Sequence, residues 1–248
     1  MAWIDSHCHL DHAAFKHNLP QVLNQAQDLG INQFIVPSVG FHRWDEQQDI
    51  QATYPNTYHA YGIHPWFCDL HSEEHLEQLD DLLDNAIAVG ECGLDFMPGK
   101  PVQDKQLHWF ETQLALAMKH DLPAIVHSVR AGDQVLTCLK KQPNIRGVVH
   151  GFMGSLQQAQ QLIHIGFYIG ISTRLIHNSP EKTETLVTQL PLSSLLLETD
   201  APDGLGKGIR NEPKELLLVA NIVAKLRQQQ PDEILDTCSQ NAQELFQL

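Results

Sequence analysis

Eight short runs of apolar, β-favouring residues recur along the chain: AWIDSH (2–7), QFIVPS (33–38), YHAYGIH (58–64), AIAVGECG (86–93), PAIVHS (123–128), GVVHGF (147–152), GFYIGIS (166–172) and LLLETD (195–200). They are apolar nearly throughout rather than alternating, as strands of a parallel sheet covered on both faces are. The segments between them carry helical spacing. Leu19, Val22, Leu23, Ala26 and Leu29 fall on one stripe before Gly30, which suits a helix C-terminus, and Leu107, Phe110, Leu114 and Ala117 do the same within 103–119. After the eighth run come a Gly-rich loop, a helix beginning near Pro213 and a last helix from about Pro231 to the end. Eight strand–helix units in about 250 residues predict a (β/α)8 TIM barrel. The runner-up is an open doubly wound sheet, but no G-x-G-x-x-G follows the first strand. GLGKG (204–208) lacks the spacing and the Ser/Thr of a phosphate-binding P-loop and reads as a flexible loop. No Pro/Gly/Ser linker divides the chain, so 1–248 is expected to be one domain.

Composition narrows the classes of function. With 42% hydrophobic and 19% charged residues and no low-complexity tract, the chain is expected to fold throughout. A formal net charge of −14 leaves no global positive field to hold a duplex or an anionic membrane, which counts against stable sequence-specific DNA binding. It does not exclude an enzyme acting on phosphodiesters, because bound divalent ions supply positive charge locally. The five cysteines are scattered and lack C-x-x-C spacing, which argues against a disulfide framework and a zinc ribbon and points to a reducing compartment. The first residues have no basic-then-apolar leader pattern, and no apolar run approaches the roughly 20 residues that span a bilayer. A cytoplasmic protein, monomeric and not bound to a membrane, is expected.

In a barrel of this kind the reactive groups sit at the C-terminal ends of the strands. The polar residues there form a selective set: His7 and His9 after strand 1, His64 after strand 3, Glu91 in strand 4, His127 in strand 5, His150 after strand 6, and Glu198 with Asp200 in strand 8. Within DSHCHL (5–10), strand alternation puts His7 and His9 on one face and turns Cys8 away as a packed thiol. Asp5 shares the parity of the histidines, as a ligand or as a partner orienting an imidazole. One His-X-His is weak evidence in a chain with 15 histidines, and a lone strand-end carboxylate is often only a helix cap. Even four of these five histidines and two of the three carboxylates on one mouth are costly to bury without a cation, and they form a nitrogen and oxygen set suited to zinc, manganese, magnesium or a similar ion. Since a catalytic zinc uses about three protein ligands, six imply two ions sharing a carboxylate. His12, His17, His42, His59, His71, His75, His108, His120, His164 and His177 are read as surface or packing residues.

Taken together, DSHCHL (5–10), GIHP (62–65), GECGLDF (90–96), QLHWFETQLALA (106–117), LPAIVHS (122–128), HGFMG (150–154), LLLETDAP (195–202) and RNEP (210–213) resemble the TatD family of metal-dependent hydrolases, and within it the YjjV-like branch, over essentially the whole chain. The resemblance implies a binuclear centre in which His7 and His9 hold one ion, His127 and His150 the other, Glu91 bridges, and Asp200 completes the first ion's shell. It also implies that His64 and the RNEP loop, with Asn211, face the substrate. Val129 stands where the family usually has an arginine, with Arg130 next, and Phe96 replaces a frequent tyrosine.

The expected function is hydrolysis of a phosphodiester, most of all deoxyribonuclease activity by resemblance, with a metal-activated water, Glu91 and Asp200 as catalytic residues and Asp200 as proton acceptor. Lys207 and Arg210 either add phosphate contacts or are solvated loop charges. Two alternatives remain open at this point: the same barrel acting on a small ester, lactone or amide, and a metal-binding interaction protein without turnover.

Overall fold

The computed structural model describes residues 2–248. Eight strands, β1 (Trp3–Asp5), β2 (Ile31–Pro37), β3 (Thr57–Tyr61), β4 (Ala88–Asp95), β5 (Ala124–Val129), β6 (Gly147–Val149), β7 (Phe167–Ile171) and β8 (Leu195–Leu197), form one sheet in sequential order with every ladder parallel. The helices are α1 (Leu19–Gln27), α2 (Trp44–Thr53), α3 (Glu73–Leu82), α4 (Gln103–Lys119), α5 (Gly132–Lys140), α6 (Leu156–His164), α7 (Pro180–Gln189), α8 (Leu216–Arg227) and α9 (Pro231–Phe246). This is the TIM barrel that the strand–helix alternation predicts, and the sequential strand order rules out the doubly wound sheet. No helix among the described residues is long and apolar enough to cross a membrane.

The seam between β8 and β1 is closed by irregular pairing. Ser6 N–H donates to the Leu197 carbonyl at 3.1 Å, Asp200 N–H to that of His7 at 2.9 Å, and His9 N–H to that of Ala201 at 2.7 Å. These bonds explain why β1 and β8 end earlier than their apolar runs suggest. Beyond Asp5 and Leu197 the two chains leave regular ladders, and their polar residues turn over the barrel mouth.

Apolar side chains pack in two layers. One lies between the strands and the ring of helices. The other fills the barrel interior with one buried residue from most strands, Ile4, Ile35, Ala60, Ala88, Ile125, Val148 and Leu196, and Ala242, Leu245 and Phe246 of α9 join it from below. Strand starts hold α9 there: Ile4 N–H donates to Ser239 Oγ at 3.1 Å, and the Asn241 amide donates to the carbonyls of Leu192 and Leu195 at 2.9 and 2.8 Å. The floor of the barrel is thereby plugged, and the polar cluster sits at the opposite end.

Candidate metal centre

Local irregularities aim the polar residues inward. Register shifts in the β4–β5 ladder between Val89 and Cys92, and Glu91 N–H donates across the barrel to the Ser38 carbonyl at 2.8 Å instead of to β5, which sends the Glu91 side chain to the centre. Gly90 permits the crowding, since a Cβ there would lie 2.7 Å from Ile125 Cβ. The glutamate then divides its oxygens between two lobes. Oε2 lies 3.4 Å from Nε2 of both His7 and His9, with Asp200 Oδ1 at 3.8 and 3.7 Å from the same nitrogens. Oε1 lies 2.8 Å from His127 Nδ1, 2.7 Å from His150 Nε2 and 3.4 Å from His64 Nε2. All six residues expected as ligands therefore converge, with the carboxylate expected to bridge between the two histidine pairs.

The far side of each imidazole shows which nitrogen is available. His9 Nδ1 faces the Pro37 carbonyl at 3.2 Å, and a carbonyl only accepts, so the proton sits there and the Nε2 lone pair faces the cluster. His127 Nε2 faces Asp95 Oδ2 at 3.4 Å, whereas the far-side Nδ1 atoms of His7 and His150 meet no hydrogen-bond partner, Glu198 Oε1 lying 3.7 Å from the latter. His64 is arranged the other way. Its Nδ1 accepts from Trp66 N–H at 3.1 Å, so the neutral ring presents an N–H, not a lone pair, toward Glu91 and the opening. That makes it a hydrogen-bond donor to the site and a poor ligand.

Burial sets the charge states. It raises the Glu91 carboxyl on its own, but His150, His64 and the hydrogen bonds from His127 and His150 outweigh it and hold the group well below the carboxylate range. Burial likewise opposes charge on His150, yet Glu91 and Glu198 raise it well above the ordinary imidazole value. His7 is lowered by burial and by His150, and His64 is lowered by burial to about 4. Asp200 would be raised by burial, but His150 and Arg174 bring it down. Two buried carboxylates thus face a group of imidazoles of which burial keeps His7 and His64 neutral, and the inward nitrogens crowd one another, with His7 Nε2 3.2 Å from His9 Nε2 and His127 Nδ1 3.2 Å from His150 Nε2. The donor set fits divalent ions on these grounds: three overlapping groups, His7–His150–Asp200, His7–His9–Glu91 and His64–Glu91–His127, each bring their nitrogens and carboxylate oxygens within 4.8 Å of one another, and His9 and His127 have the far-side acceptors that orient ligating imidazoles.

Other expectations need correction. Asp5 touches no imidazole: its carboxylate accepts from Thr199 N–H at 2.9 Å, Thr199 Oγ1 at 2.6 Å and His7 N–H at 3.3 Å, so it clamps the β1–β8 seam, and burial pushes its carboxyl up to about 7. Asn211 is wholly buried and donates to Thr173 Oγ1, the Thr199 carbonyl and the Asp203 carbonyl, so it staples the loop and does not face a substrate. Arg210 is engaged by the Ala14 carbonyl, Asn18 Oδ1 and Glu212, and it borders a bay outside the cluster together with Lys207. The reading of the remaining histidines as surface or packing residues stands for His59, which is buried inside β3, while His12 and His42 line the cleft over the cluster. Cys8 packs away from the cluster, with Sγ 3.7 Å from the Ile35 carbonyl; all five cysteines are free and buried.

Two contributors were absent from the expected set, one at a strand end and one in a turn. Asp95, buried at the end of β4, receives the Trp66 indole N–H at 2.5 Å as well as facing His127. Its parity with Glu91 was the available clue. Arg174, in the turn after β7, donates from Nε to Asp200 Oδ2 at 2.9 Å. No periodicity could have found it.

An eight-stranded parallel barrel with histidines and carboxylates gathered at its C-terminal mouth fits a metal-dependent hydrolase. The chain belongs to the TatD family: the family model for TatD related DNase matches residues 4–247. It is 36% identical to the uncharacterized metal-dependent hydrolase YjjV of Escherichia coli across 98% of this chain and 97% of that one. It is also 30% identical to the human deoxyribonuclease TATDN3, covering 98% of this chain and 94% of the human protein. The crystal structure of E. coli YjjV superposes with a TM-score of 0.94 over 100% of this chain and 98% of that chain.

Proposed function

We propose that this protein hydrolyses phosphodiesters, with a nucleic-acid strand or its end as substrate, using two divalent ions held by the two lobes of the cluster. The observation that carries the reading is the division of Glu91, one oxygen toward His7 and His9 and the other toward His127 and His150. His7, His9 and Asp200 would hold one ion, His127 and His150 the other. Zinc, manganese or magnesium there would supply Lewis acidity, bringing a water toward ionisation at neutral pH and neutralising the phosphoryl group. Asp200 accepts the water's proton at Oδ1, because Arg174 occupies Oδ2 and turns Oδ1 inward. His64 donates its Nε2–H toward the oxygen on which negative charge develops. Lys207, in the loop bordering the mouth, meets phosphates farther along the strand. The deoxyribonuclease name of the human relative favours this substrate over a small ester, lactone or amide.

The test is metal analysis combined with one activity screen. Protein purified without chelator and reconstituted with zinc, manganese or magnesium should carry about two equivalents, since each catalytic ion uses about three protein ligands. It should turn over single-stranded DNA or a dinucleotide faster than lactones, esters and amides. Metal near zero after reconstitution refutes the centre; turnover confined to carboxylic esters or amides refutes the substrate.

A further inference from the structure

Three depressions meet above the cluster: the cleft over it, of about 220 Å³, a cavity of about 670 Å³ beyond the ends of β5 and β6, and the outer bay of about 870 Å³ beneath the 203–210 loop. Arg174 lies on the wall of all three. Its side chain is half-buried and passes over Gly151, where the nearest approach to a Cβ position is 3.7 Å from Arg174 Cδ. Only Nε is used, in the bond to Asp200, and Nη1 and Nη2 meet no acceptor among the described residues. A guanidinium held by Nε keeps its far edge, with two parallel N–H groups, in one plane and free to bind.

The other cations near the cluster are committed or distant. Arg43, which also lines the cleft, gives Nη1 to the Asp11 carbonyl and to Glu46. Arg210 is tied to Ala14, Asn18 and Glu212 in the outer bay. Val129 puts no cation at the end of β5, and Arg130 beside it lines only the cavity beyond β5 and β6, not the cleft over the cluster.

We propose that Arg174 is the anion clamp of the site, its free Nη1/Nη2 edge holding two oxygens of the tetrahedral phosphoryl group while Nε keeps Asp200 turned toward the reacting water. This deepens the phosphodiester reading and rests on it for the substrate, but recognition of a tetrahedral oxyanion is separable from turnover. The paired N–H fork matches phosphate bidentately, and a neutral ester or amide gives it nothing to hold. Arg174 therefore selects for an anionic reacting centre.

The experiment uses the full chain reconstituted with metal, and compares wild type with Arg174→Ala and Arg174→Lys. Inorganic phosphate binding is measured by calorimetry, metal content on the same samples, and kcat and KM for bis(p-nitrophenyl) phosphate beside p-nitrophenyl acetate. Arg174→Ala should bind phosphate roughly 10- to 100-fold more weakly, as expected for losing charge-assisted hydrogen bonds. Arg174→Lys, which keeps the charge but not the fork, should fall between, and both should hold metal as wild type does. Loss on the diester should exceed loss on the acetate, with KM for the diester rising. Unchanged phosphate binding in Arg174→Ala overturns the proposal, as does a wild type blind to millimolar phosphate. Equal losses on both substrates, or loss of metal in step with phosphate binding, show instead that Arg174 acts only through Asp200. If phosphate binding depends on Arg174 but no diester is turned over, the clamp stands and the phosphodiesterase reading fails.

Discussion

At the scale of single residues, Asp200 is the sharpest test of chemistry. Its two oxygens have separate tasks, Oδ2 toward Arg174 and Oδ1 toward His7 and His9. In Asp200→Asn the Arg174 N–H claims the amide oxygen, so an NH2 group faces the cluster where a base stood. Turnover should drop roughly 100-fold or more, as for loss of general-base help. Metal content should fall much less, because His7, His9 and Glu91 stay in place. Near-normal turnover with metal bound excludes Asp200 as the base. A second residue governs acid stability. Burial inside β3 lowers His59 to about 4 from 6.5, and its Nδ1 has no partner. Between these values the unfolded chain binds the proton and the folded one does not, so stability is intact above about 6.5 and falls as pH drops toward 4. The loss is about 3 kcal/mol if the full difference is expressed. Denaturant unfolding of metal-free wild type and His59→Gln at several pH values should show the wild type losing more across that window; parallel curves contradict the assignment.

At the scale of elements, α9 makes a prediction independent of any metal. Phe246 is 3% exposed and fills the barrel floor against the strand interiors, so Phe246→Ala should cost roughly 3 kcal/mol or more in unfolding free energy through the cavity it leaves. Metal stoichiometry should stay as in wild type, since the cluster lies at the far end. The elements also show where sequence reading succeeded. All eight apolar runs became strands, because burial on both faces of a parallel sheet writes itself into composition. The ligand-type residues were legible for the same reason: His7, His9, Glu91, His127, His150 and Asp200 are polar breaks in apolar runs. What was not legible depended on contacts between distant segments. Arg174 and His42 lie in turns whose positions no period encodes, and Asp95 gains its meaning only because Trp66, from the turn after β3, and His127, from β5, reach it. Asn211 and Asp5 failed in the opposite sense, being polar residues near the mouth that backbone groups had already claimed.

For the whole molecule, the net charge of −14, with positive charge near the mouth confined to a few side chains, has a kinetic consequence. A long polyanion is repelled by the body of the protein and attracted only near Arg174 and Lys207. Under the phosphodiester reading, kcat/KM for a single-stranded oligonucleotide should hold or rise as salt screens the repulsion over a Debye length of about 8 Å at physiological strength. Lengthening the strand beyond the few nucleotides at the mouth should bring no further gain. A steep fall with salt points instead to a basic track along the surface. The plugged floor imposes a different constraint, on traffic. With Ala242, Leu245 and Phe246 packed beneath the barrel, nothing drains downward, and what enters over the histidines must leave the way it came. Reactant and product share the same open end of the barrel, so under the phosphodiester reading the cleaved end must clear the cluster before the next can approach, and a released phosphate-bearing fragment competes directly with fresh substrate for the same place.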